Sequence, residues 1–518
     1  MHFGFSYVGL IYLVLLFVPN IIWTKHRPKD YEEYVKKESR FLLFMERAGE
    51  ILVTATAVFF SDFNLRMWTA WCWWLVVSFL LMILYEIYWI RYFRSGRTMK
   101  DFYSRLLFFR LPGATLPVTA FFLLGIYGSN ILMILSSLIL GIGHIGIHRA
   151  HEKEIYGARK KAPFFLRFGK GILITALVLF FGILTTGIAI RNVRYFKHYA
   201  NLFEGVDEQV YLPLGGEEQY VLITGKNVKN PVIIYLHGGP ASPDTFCTYT
   251  FADYLTDDYT FICWDQRGCG RTYYKNEAAD PQNVTATYEQ ALTDLDELVD
   301  YALQRFGQQK VILMGHSYGT ILGSRYAQAY PEKVSALVAV AQVTSLEKTD
   351  LYSYRDALAR AQEAGEDTRD MEKAYIAFCA EKSGKNQMAL RKETAKYHPV
   401  RVRDNAIWMS ATSPYFGMDD LKWFLVQLGD LDDFYKLNRQ LFDETLDFDI
   451  YKLDKNYQMP VYFISGTDDW ICPLDSVEEY MDSISAPEKS LVRFTGCGHN
   501  VQYSKPEQFA ETVKEILK

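Results

Sequence analysis

Gly315-His316-Ser317-Tyr318-Gly319 stands between a short apolar strand, Lys310–Met314, and a segment predicted to be helical, Gly319–Ala329. A Gly-x-Ser-x-Gly pattern is common by chance, but this position between a strand and a helix is typical of a strained turn that projects the serine hydroxyl outward. The two glycines remove the side chains that would clash in such a turn. The stretch therefore predicts that Ser317 is a nucleophile.

A nucleophilic serine needs a base, and the base needs an acid that orients it. His499 follows the last predicted strand, and Asp468 and Asp469 follow the strand before it. The order serine, aspartate, histidine, with each residue at the carboxyl end of a strand, matches the order found in enzymes with this turn. We therefore predict a triad of Ser317, Asp469 and His499. Asp469 is preferred because of its Gly-x-x-Asp spacing from Gly466, and Asp468 is interpreted as a capping residue.

The region around this turn alternates between predicted strands and helices. It opens with a predicted antiparallel hairpin, Gln209–Leu214 and Gln219–Thr224. The later predicted strands are Pro231–Leu236, Tyr259–Trp264, Lys310–Met314, Val334–Ala341, Pro460–Ser465 and Leu491–Thr495, and the predicted helices are Tyr288–Phe306, Gly319–Ala329 and Lys505–Leu517. Such alternation predicts a mostly parallel sheet with helices on both faces. The largely helical interval 344–458 interrupts it, and we expect a cap over the carboxyl edge of the sheet, where ligands bind.

A second glycine-rich turn, His237-Gly238-Gly239-Pro240, follows the strand Pro231–Leu236. Its glycines allow a backbone amide to approach the negative oxygen that develops when the serine attacks a carbonyl. We predict the amides of Gly239 and Tyr318 as the two oxyanion donors. This chemistry requires neither a metal nor a cofactor.

Trp264-Asp265-Gln266-Arg267-Gly268-Cys269-Gly270-Arg271-Thr272, together with the two glycine-rich turns, resembles the proline iminopeptidase group of serine peptidases in the α/β-hydrolase superfamily. The resemblance covers roughly Asn201–Lys518. It implies an α/β-hydrolase fold with a helical cap. It also assigns the triad to Ser317, Asp469 and His499 and the oxyanion donors to Gly239 and Tyr318. The stretch Asp265–Arg271 would mainly shape the loop beside the site.

Two positions depart from the pattern of that group. Position 241 is alanine where the group usually has glycine, and Tyr318 stands where the group usually has tryptophan. Aminopeptidase specificity in the group rests on cap carboxylates that hold the free amine of the substrate. The cap is acidic in places, but none of the following residues is matched to that role, and most are interpreted as solvated helix faces: Glu363, Glu366, Asp367, Asp430, Asp432 and Asp433.

The first 190 residues or so are rich in Phe, Leu, Ile and Trp. Apolar runs lie near Phe5–Trp23, Phe41–Phe60, Trp68–Ile90, Ala114–Tyr127, Ile131–Ile147 and Gly171–Ile190. A helix needs about 20 residues to cross the hydrocarbon core of a bilayer. We predict an all-α transmembrane domain of about six helices. Four or five remain possible, because the second run contains Glu46, Arg47 and Glu50 and the fourth is short.

The basic residues of this region are distributed unevenly between alternate connections. Nineteen lie within Lys25–Arg40, Arg91–Arg110 and Arg149–Lys170, whereas the opposite connections hold only Arg66. Loops rich in Lys and Arg stay in the cytoplasm. We therefore expect the amino terminus and the carboxyl-terminal half outside the cytoplasm, although three basic residues after the last run count mildly against this. A cleaved signal peptide is not expected, because no basic segment precedes the first apolar run.

Other features of the composition narrow the possibilities. Lys and Arg number 55 against 60 Asp and Glu, so no basic face for nucleic acid is implied. The seven cysteines show no spacing typical of a disulfide framework or a metal site. His144, His148 and His151 share one face of a predicted helix and could bind a metal or relay protons. We favour the simpler interpretation that they are interfacial histidines within the cytoplasmic basic cluster.

The predicted organisation is a transmembrane domain at 1–197, an α/β-hydrolase core at 198–343 and 459–518, and a cap at 344–458. We expect a membrane-anchored serine hydrolase that acts through an acyl-enzyme on a small-molecule, peptide or ester substrate. The first hypothesis is a proline iminopeptidase-like aminopeptidase. The alternatives are a carboxylesterase or lipase supplied from the bilayer, and a sensor or transporter whose hydrolase domain only binds ligand. An intact triad argues against the last alternative.

Overall fold

The computed structural model describes residues 1–35, 38–66, 68–157, 164–199, 204–397, 406–429 and 431–518. It divides into two compact units, which we call the helical unit, Met1–Phe196, and the sheet unit, Lys197–Lys518. Five of the basic residues counted above lie outside the described residues, namely Lys36, Lys37, Arg159, Lys160 and Lys161, and so do Asn201 and Asp430. The side chains of Arg167 and Asp432 are also outside the description.

Every apolar run of the amino-terminal region lies on a helix. The helices of this unit are α1 (Tyr7–Lys25), α2 (Glu32–Val35), α3 (Arg40–Phe59), α4 (Trp73–Phe93), α5 (Met99–Phe102), α6 (Pro112–Tyr127), α7 (Ile131–Tyr156) and α8 (Phe164–Arg194). Among the described residues, four segments are long and apolar enough to cross a membrane: Tyr7–Lys25, Ala70–Phe93, Ile131–Tyr156 and Phe168–Lys197. Helix α6 is shorter, and α3 carries charged side chains, so the number of spans stays a prediction.

Helices α3 and α7 pack closely through glycine. A Cβ added at Gly143 would lie 2.2 Å from the backbone nitrogen of Glu46, and one added at Gly49 would lie 2.4 Å from the Cα of Leu140. Small residues permit this approach of two helix backbones. The contact brings Glu46 Oε1 to within 2.5 Å of His144 Nδ1. This pairing reduces the cost of placing a carboxylate in an apolar segment.

The two following histidines of α7 also have partners within the helical unit. The ring of His148 lies 4.4 Å from that of His144 and stacks on Phe102 at 5.7 Å between ring centres. His151 is buried, and its Nδ1 lies 3.0 Å from the hydroxyl of Tyr103. The histidine face of α7 is therefore packed against other side chains of the unit.

The sheet unit is built on eight strands within its described residues. They are β1 (Val206–Leu214), β2 (Glu217–Gly225), β3 (Val232–Leu236), β4 (Thr260–Trp264), β5 (Val311–His316), β6 (Val334–Val340), β7 (Val461–Gly466) and β8 (Lys489–Phe494). Their spatial order is β1-β2-β4-β3-β5-β6-β7-β8. The pairs β1–β2 and β2–β4 are antiparallel, and all later neighbours are parallel. The predicted hairpin and the predicted parallel sheet are confirmed.

The central strands are buried along their whole length. β3 reads Val-Ile-Ile-Tyr-Leu, and all five of its residues are buried, as are the six of β5. Near-continuous apolar strands are typical of a parallel sheet that is covered by helices on both faces. The covering helices include α9 (Tyr249–Ala252), α10 (Gly270–Asn276), α11 (Tyr288–Phe306) and α12 (Tyr318–Ala329). Helix α20 (Leu474–Ser483) lies between β7 and β8, and α21 (Val501–Ser504) and α22 (Pro506–Ile516) follow β8.

The predicted cap interval is largely helical in its described residues. It contains α13 (Leu346–Glu363), α14 (Arg369–Ala380), α15 (Gly384–Thr394), α16 (Ala406–Thr412), α17 (Met418–Leu428), α18 (Leu431–Leu437) and α19 (Arg439–Leu446). Its inner cluster includes Tyr354, Phe378 and Leu390, and Trp470 of the segment after β7 packs into the same cluster. The cap therefore contacts the loop that carries Asp469.

Candidate active site

Ser317 lies in a sharp turn between β5 and α12. Its backbone φ is 51° and its ψ is −120°, in a region that residues with a side chain rarely adopt. A Cβ at Gly319 would lie 2.1 Å from the carbonyl oxygen of Leu236, and one at Gly315 would lie 2.5 Å from the carbonyl oxygen of Gly319. Both glycines of the motif are therefore required by the close approach of other backbone atoms.

His499 and Asp469 contact each other at the carboxyl ends of neighbouring strands. His499 Nδ1 lies 2.9 Å from Asp469 Oδ2 and 3.2 Å from Oδ1. The carboxylate of Asp469 is fully buried, and its Oδ1 accepts hydrogen bonds from the amides of Ile471, at 2.8 Å, and Cys472, at 2.9 Å. These amides fix the carboxylate, which in turn orients the imidazole through its Nδ1 atom.

The loops that carry the two residues are tied together. We call Thr467–Cys472 the β7 loop and Thr495–Asn500 the β8 loop. The backbone amide of Asp468 donates to the carbonyl oxygen of Cys497 at 3.0 Å, and a Cβ at Gly466 would lie 2.2 Å from that same oxygen. Asp468 is thus held by its backbone, while its side chain is half-exposed.

The loop His237–Ser242, which we call the β3 loop, runs beside Ser317. A Cβ at Gly238 would lie 3.2 Å from Ser317 Cβ. Gly239 has φ 124°, and a Cβ there would lie 2.7 Å from the amide nitrogens of Ala241 and Ser242. Tyr318 is the first residue of α12, so its amide has no intrahelical acceptor. The two expected oxyanion donors therefore belong to segments that flank the serine.

Two further histidines border the site, and the sequence interpretation gave neither a role. His316 Nε2 lies 3.1 Å from the carbonyl oxygen of His499, and the two rings are 4.9 Å apart. The pKa of His316 is lowered to about 3, mainly because the side chain is buried and secondly because His499 is its neighbour. Burial lowers the pKa of His237 to about 4. Both side chains are neutral near pH 7 and support the loops by hydrogen bonds. The position of His316 directly before Ser317 is the sequence signal by which it could have been found.

Arg271 connects the core to the cap. The sequence analysis predicted only that Asp265–Arg271 shapes the loop beside the site, so this contact was not expected. Its Nε lies 3.0 Å from both carboxylate oxygens of Asp420 in α17, and its Nη2 also contacts Asp420 and the carbonyl oxygen of Tyr415. Its guanidinium lies 4.2 Å from the ring centre of Tyr220. Both members of the ion pair are buried.

Asp469, Cys472 and His499 are the group best placed to hold a metal ion among the described residues, since one ligand atom from each lies within 4.8 Å of the others. The chemistry of the group does not favour this use. Burial raises the pKa of the Cys472 thiol well above its usual value, whereas a metal binds the thiolate. The Nδ1 atom of His499 is also already hydrogen-bonded to Asp469.

Comparison with known proteins places the sheet unit in a family. A family model described as the alpha/beta hydrolase fold matches residues 231–506. The chain belongs to the alpha/beta hydrolase fold family. The order of Ser317, Asp469 and His499 along the chain is the order in which this fold carries its triad.

Curated relatives match more than half of this hydrolase. The chain is 26% identical over 316 residues to the probable aminopeptidase YbaC of Bacillus subtilis, an alignment covering 58% of this chain and 93% of that protein. It is 22% identical over 315 residues to a proline iminopeptidase of Lactobacillus delbrueckii subsp. bulgaricus, covering 59% of this chain and 96% of that protein. The crystal structure of a proline iminopeptidase of Mycobacterium smegmatis aligns with a TM-score of 0.42 and 20% identity, over 60% of this chain and 97% of that chain.

Proposed function

We propose that this hydrolase is a serine hydrolase that cleaves amide or ester bonds through an acyl-enzyme. Ser317 attacks the carbonyl carbon of the substrate, and His499 Nε2 takes the hydroxyl proton. Asp469 keeps Nδ1–H of His499 oriented and stabilises the imidazolium that forms. The amides of Gly239 and Tyr318 donate to the developing oxyanion.

His499 then gives its proton to the departing amine or alcohol as the tetrahedral intermediate collapses to the acyl-enzyme. A water molecule takes the place of that group beside the imidazole, and the acyl-enzyme is hydrolysed by the same proton transfers. The base takes a proton from the water as it attacks the acyl carbon, and Ser317 leaves with the proton restored. Each step uses the same imidazole as base and then as acid.

One observation carries this proposal. Ser317 is held at a φ of 51° in the turn after β5, and the buried pair Asp469–His499 stands in the loops that follow β7 and β8. Strained serines of this kind are found in sharp strand-to-helix turns that expose a nucleophile. The hydrogen bond from His316 Nε2 to the carbonyl oxygen of His499 also connects the turn at Ser317 to the β8 loop.

For the substrate, we propose first an aminopeptidase with a preference similar to that of proline iminopeptidases. The support is the similarity to a probable aminopeptidase and to proline iminopeptidases along nearly their whole length. An apolar cluster of cap and core residues, including Trp423, Phe434 and Phe442, packs against Ala241 of the β3 loop. Apolar residues beside this loop are compatible with a substrate that carries an apolar or proline-like side chain.

A second candidate is an esterase or lipase-type hydrolase, and the cap electrostatics favour it. The buried cap carboxylates Asp350 and Asp420 already pair with Arg391, at 2.6 Å, and with Arg271. A carboxylate that is neutralised by arginine has little attraction left for the ammonium group of an aminopeptidase substrate. Under this candidate, the substrate lacks a free amine.

Replacing the serine tests the proposed chemistry. Ser317→Ala should abolish covalent labelling by a fluorophosphonate probe, because only an activated serine attacks it. Ser335→Ala is a matched control, since Ser335 is an exposed serine at the opposite end of the sheet, in β6. Labelling that survives in the Ser317→Ala chain would refute the proposal.

The choice between the two substrate classes depends on a free amine. For one proline arylamide, we expect the free form to be cleaved with a kcat/KM at least tenfold above that of the N-acetylated form, which corresponds to about 1.4 kcal/mol. Equal values for the two forms would reject the aminopeptidase and leave the esterase-type hydrolase. The Ser317→Ala chain provides the background rate for both.

We further propose that the helical unit anchors the enzyme in a membrane with the sheet unit outside the cytoplasm. The four apolar segments of sufficient length support the anchor. The excess of Lys and Arg in alternate connections supports the orientation.

A further inference from the structure

Ala241 has an unusual backbone conformation in the β3 loop. Its φ is 58°, and its side chain is 2% exposed. Glycine adopts a positive φ without cost, whereas the Cβ of alanine makes it unfavourable. The proline iminopeptidase-like pattern has glycine at this position. Alanine here therefore requires contacts from elsewhere in the molecule to keep the loop in place.

Helix α17 of the cap supplies these contacts. Trp423 donates from its indole Nε1 to the carbonyl oxygen of Ala241 at 3.0 Å. Gln427, one turn further along, donates from Nε2 to the same oxygen at 3.3 Å and to the hydroxyl of Ser242 at 3.0 Å. Trp423 is 2% exposed, so its bond to the carbonyl is protected from competition with water.

The helix that makes these bonds is itself fixed to the core. Asp420, in the first turn of α17, accepts from the amide of Gly417 at 2.6 Å and pairs with Arg271. The ring of Trp423 packs against Tyr273 of α10, with 5.4 Å between ring centres. The position of the β3 loop is thus connected through α17 to the ion pair between cap and core.

We propose that Trp423 and Gln427 are positioning residues that hold the strained Ala241, and with it the amide of Gly239, in the geometry that stabilises the oxyanion. The inference rests on the proposed function of Ser317. It adds that the cap is needed to complete the oxyanion site. Gly239 and Ala241 are separated by one residue, so relaxation of φ at Ala241 would shift the Gly239 amide.

A double-mutant cycle tests the link between the cap and the strained residue. Trp423→Phe keeps an aromatic ring but removes the donor. In the full-length chain, it should lower the limiting rate of fluorophosphonate labelling roughly 10- to 100-fold, less than the complete loss of an oxyanion donor, while the concentration for half-maximal rate changes little. Gln427→Met, which also removes a donor, should act in the same direction with a smaller effect.

The decisive comparison uses Ala241→Gly. Glycine needs no outside contact to keep a positive φ, so in chains that carry Ala241→Gly the change Trp423→Phe should cost no more than about threefold. Leu425→Ala is a control on the exposed face of α17 and should leave labelling unchanged. Thermal unfolding of each variant shows whether the chain is folded at the assay temperature.

The outcomes separate this inference from the proposed function. An equal loss from Trp423→Phe with and without Ala241→Gly would show that Trp423 acts by packing alone and would overturn the inference. No loss in either case would also overturn it. Labelling that persists in Ser317→Ala would instead refute the proposed function, whatever the result at Trp423. Suppression of the Trp423→Phe defect by Ala241→Gly is the result that supports the inference.

Discussion

At the scale of single residues, Asp468 and Asp469 are neighbours in sequence but have different surroundings. The carboxylate of Asp469 is buried and contacts His499 Nδ1 at 2.9 Å, whereas the side chain of Asp468 is half-exposed and its backbone carries the contact to the β8 loop. A carboxylate can orient the imidazole only from the first of these positions. The difference makes the two acids separable by experiment.

We expect Asp469→Asn to lower the limiting hydrolysis rate strongly, by analogy with the roughly 10,000-fold loss in another triad enzyme, because an amide would stabilise the wrong imidazole tautomer. Asp468→Asn should change the rate less than about tenfold, since its side chain makes no contact with His499 in this arrangement. Both variants can be measured by the release of nitroaniline or nitrophenol from a chromogenic substrate. A larger loss in Asp468→Asn would show that the acid has been misassigned.

At the scale of elements, α17 depends on an ion pair that is buried from water. The side chains of Arg271 and Asp420 are 9% and 4% exposed, and Asp420 also caps the first turn of the helix. Two charges removed from water stabilise a fold little as a pair, but loss of one partner leaves the other uncompensated. The pair therefore acts mainly to fix where the cap helix lies.

Breaking this buried ion pair should lower the free energy of unfolding more than breaking an exposed ion pair. Asp420→Asn leaves the charge of Arg271 without its partner and should lower the free energy of unfolding of the sheet unit by about 3 kcal/mol or more. Asp356→Asn breaks the exposed pair with Arg360 in α13 and should cost less than about 1 kcal/mol. Denaturant unfolding of the detergent-solubilised full chain measures both. Equal values would show that the Arg271 pair is not desolvated as described.

At the scale of the whole molecule, the arrangement across the membrane can be tested with a cysteine that the chain already has. Cys379 in α14 is exposed, whereas the other six cysteines are buried. If the sheet unit lies outside the cytoplasm, a membrane-impermeant maleimide should label intact cells at Cys379. Cys379→Ser should remove the labelling. Labelling that appears only after the cells are broken would place the sheet unit in the cytoplasm.

The sequence by itself determined the features that depend on neighbours along the chain. The alternation of apolar strands with helices predicted the parallel sheet, and helix α11 begins and ends at the predicted residues, Tyr288 and Phe306. The turn at Ser317 could also be predicted, because its flanking glycines, the strand before it and the helix after it are neighbours in the sequence. Strand periodicity and turn chemistry act over a few residues, so a sequence pattern records them directly.

Only the tertiary structure decided which distant side chains meet. Arg271 and Asp420 are 149 positions apart, and Trp423 lies 182 positions from the carbonyl of Ala241 that it holds. Glu46, which looked too costly for an apolar helix, contacts His144 across 98 positions. Such pairings arise from the packing of whole helices, and no local pattern specifies the partner of a buried polar group. The conformation of Ala241 belongs to the same class, since a cap helix holds a backbone angle that the alanine alone would not favour.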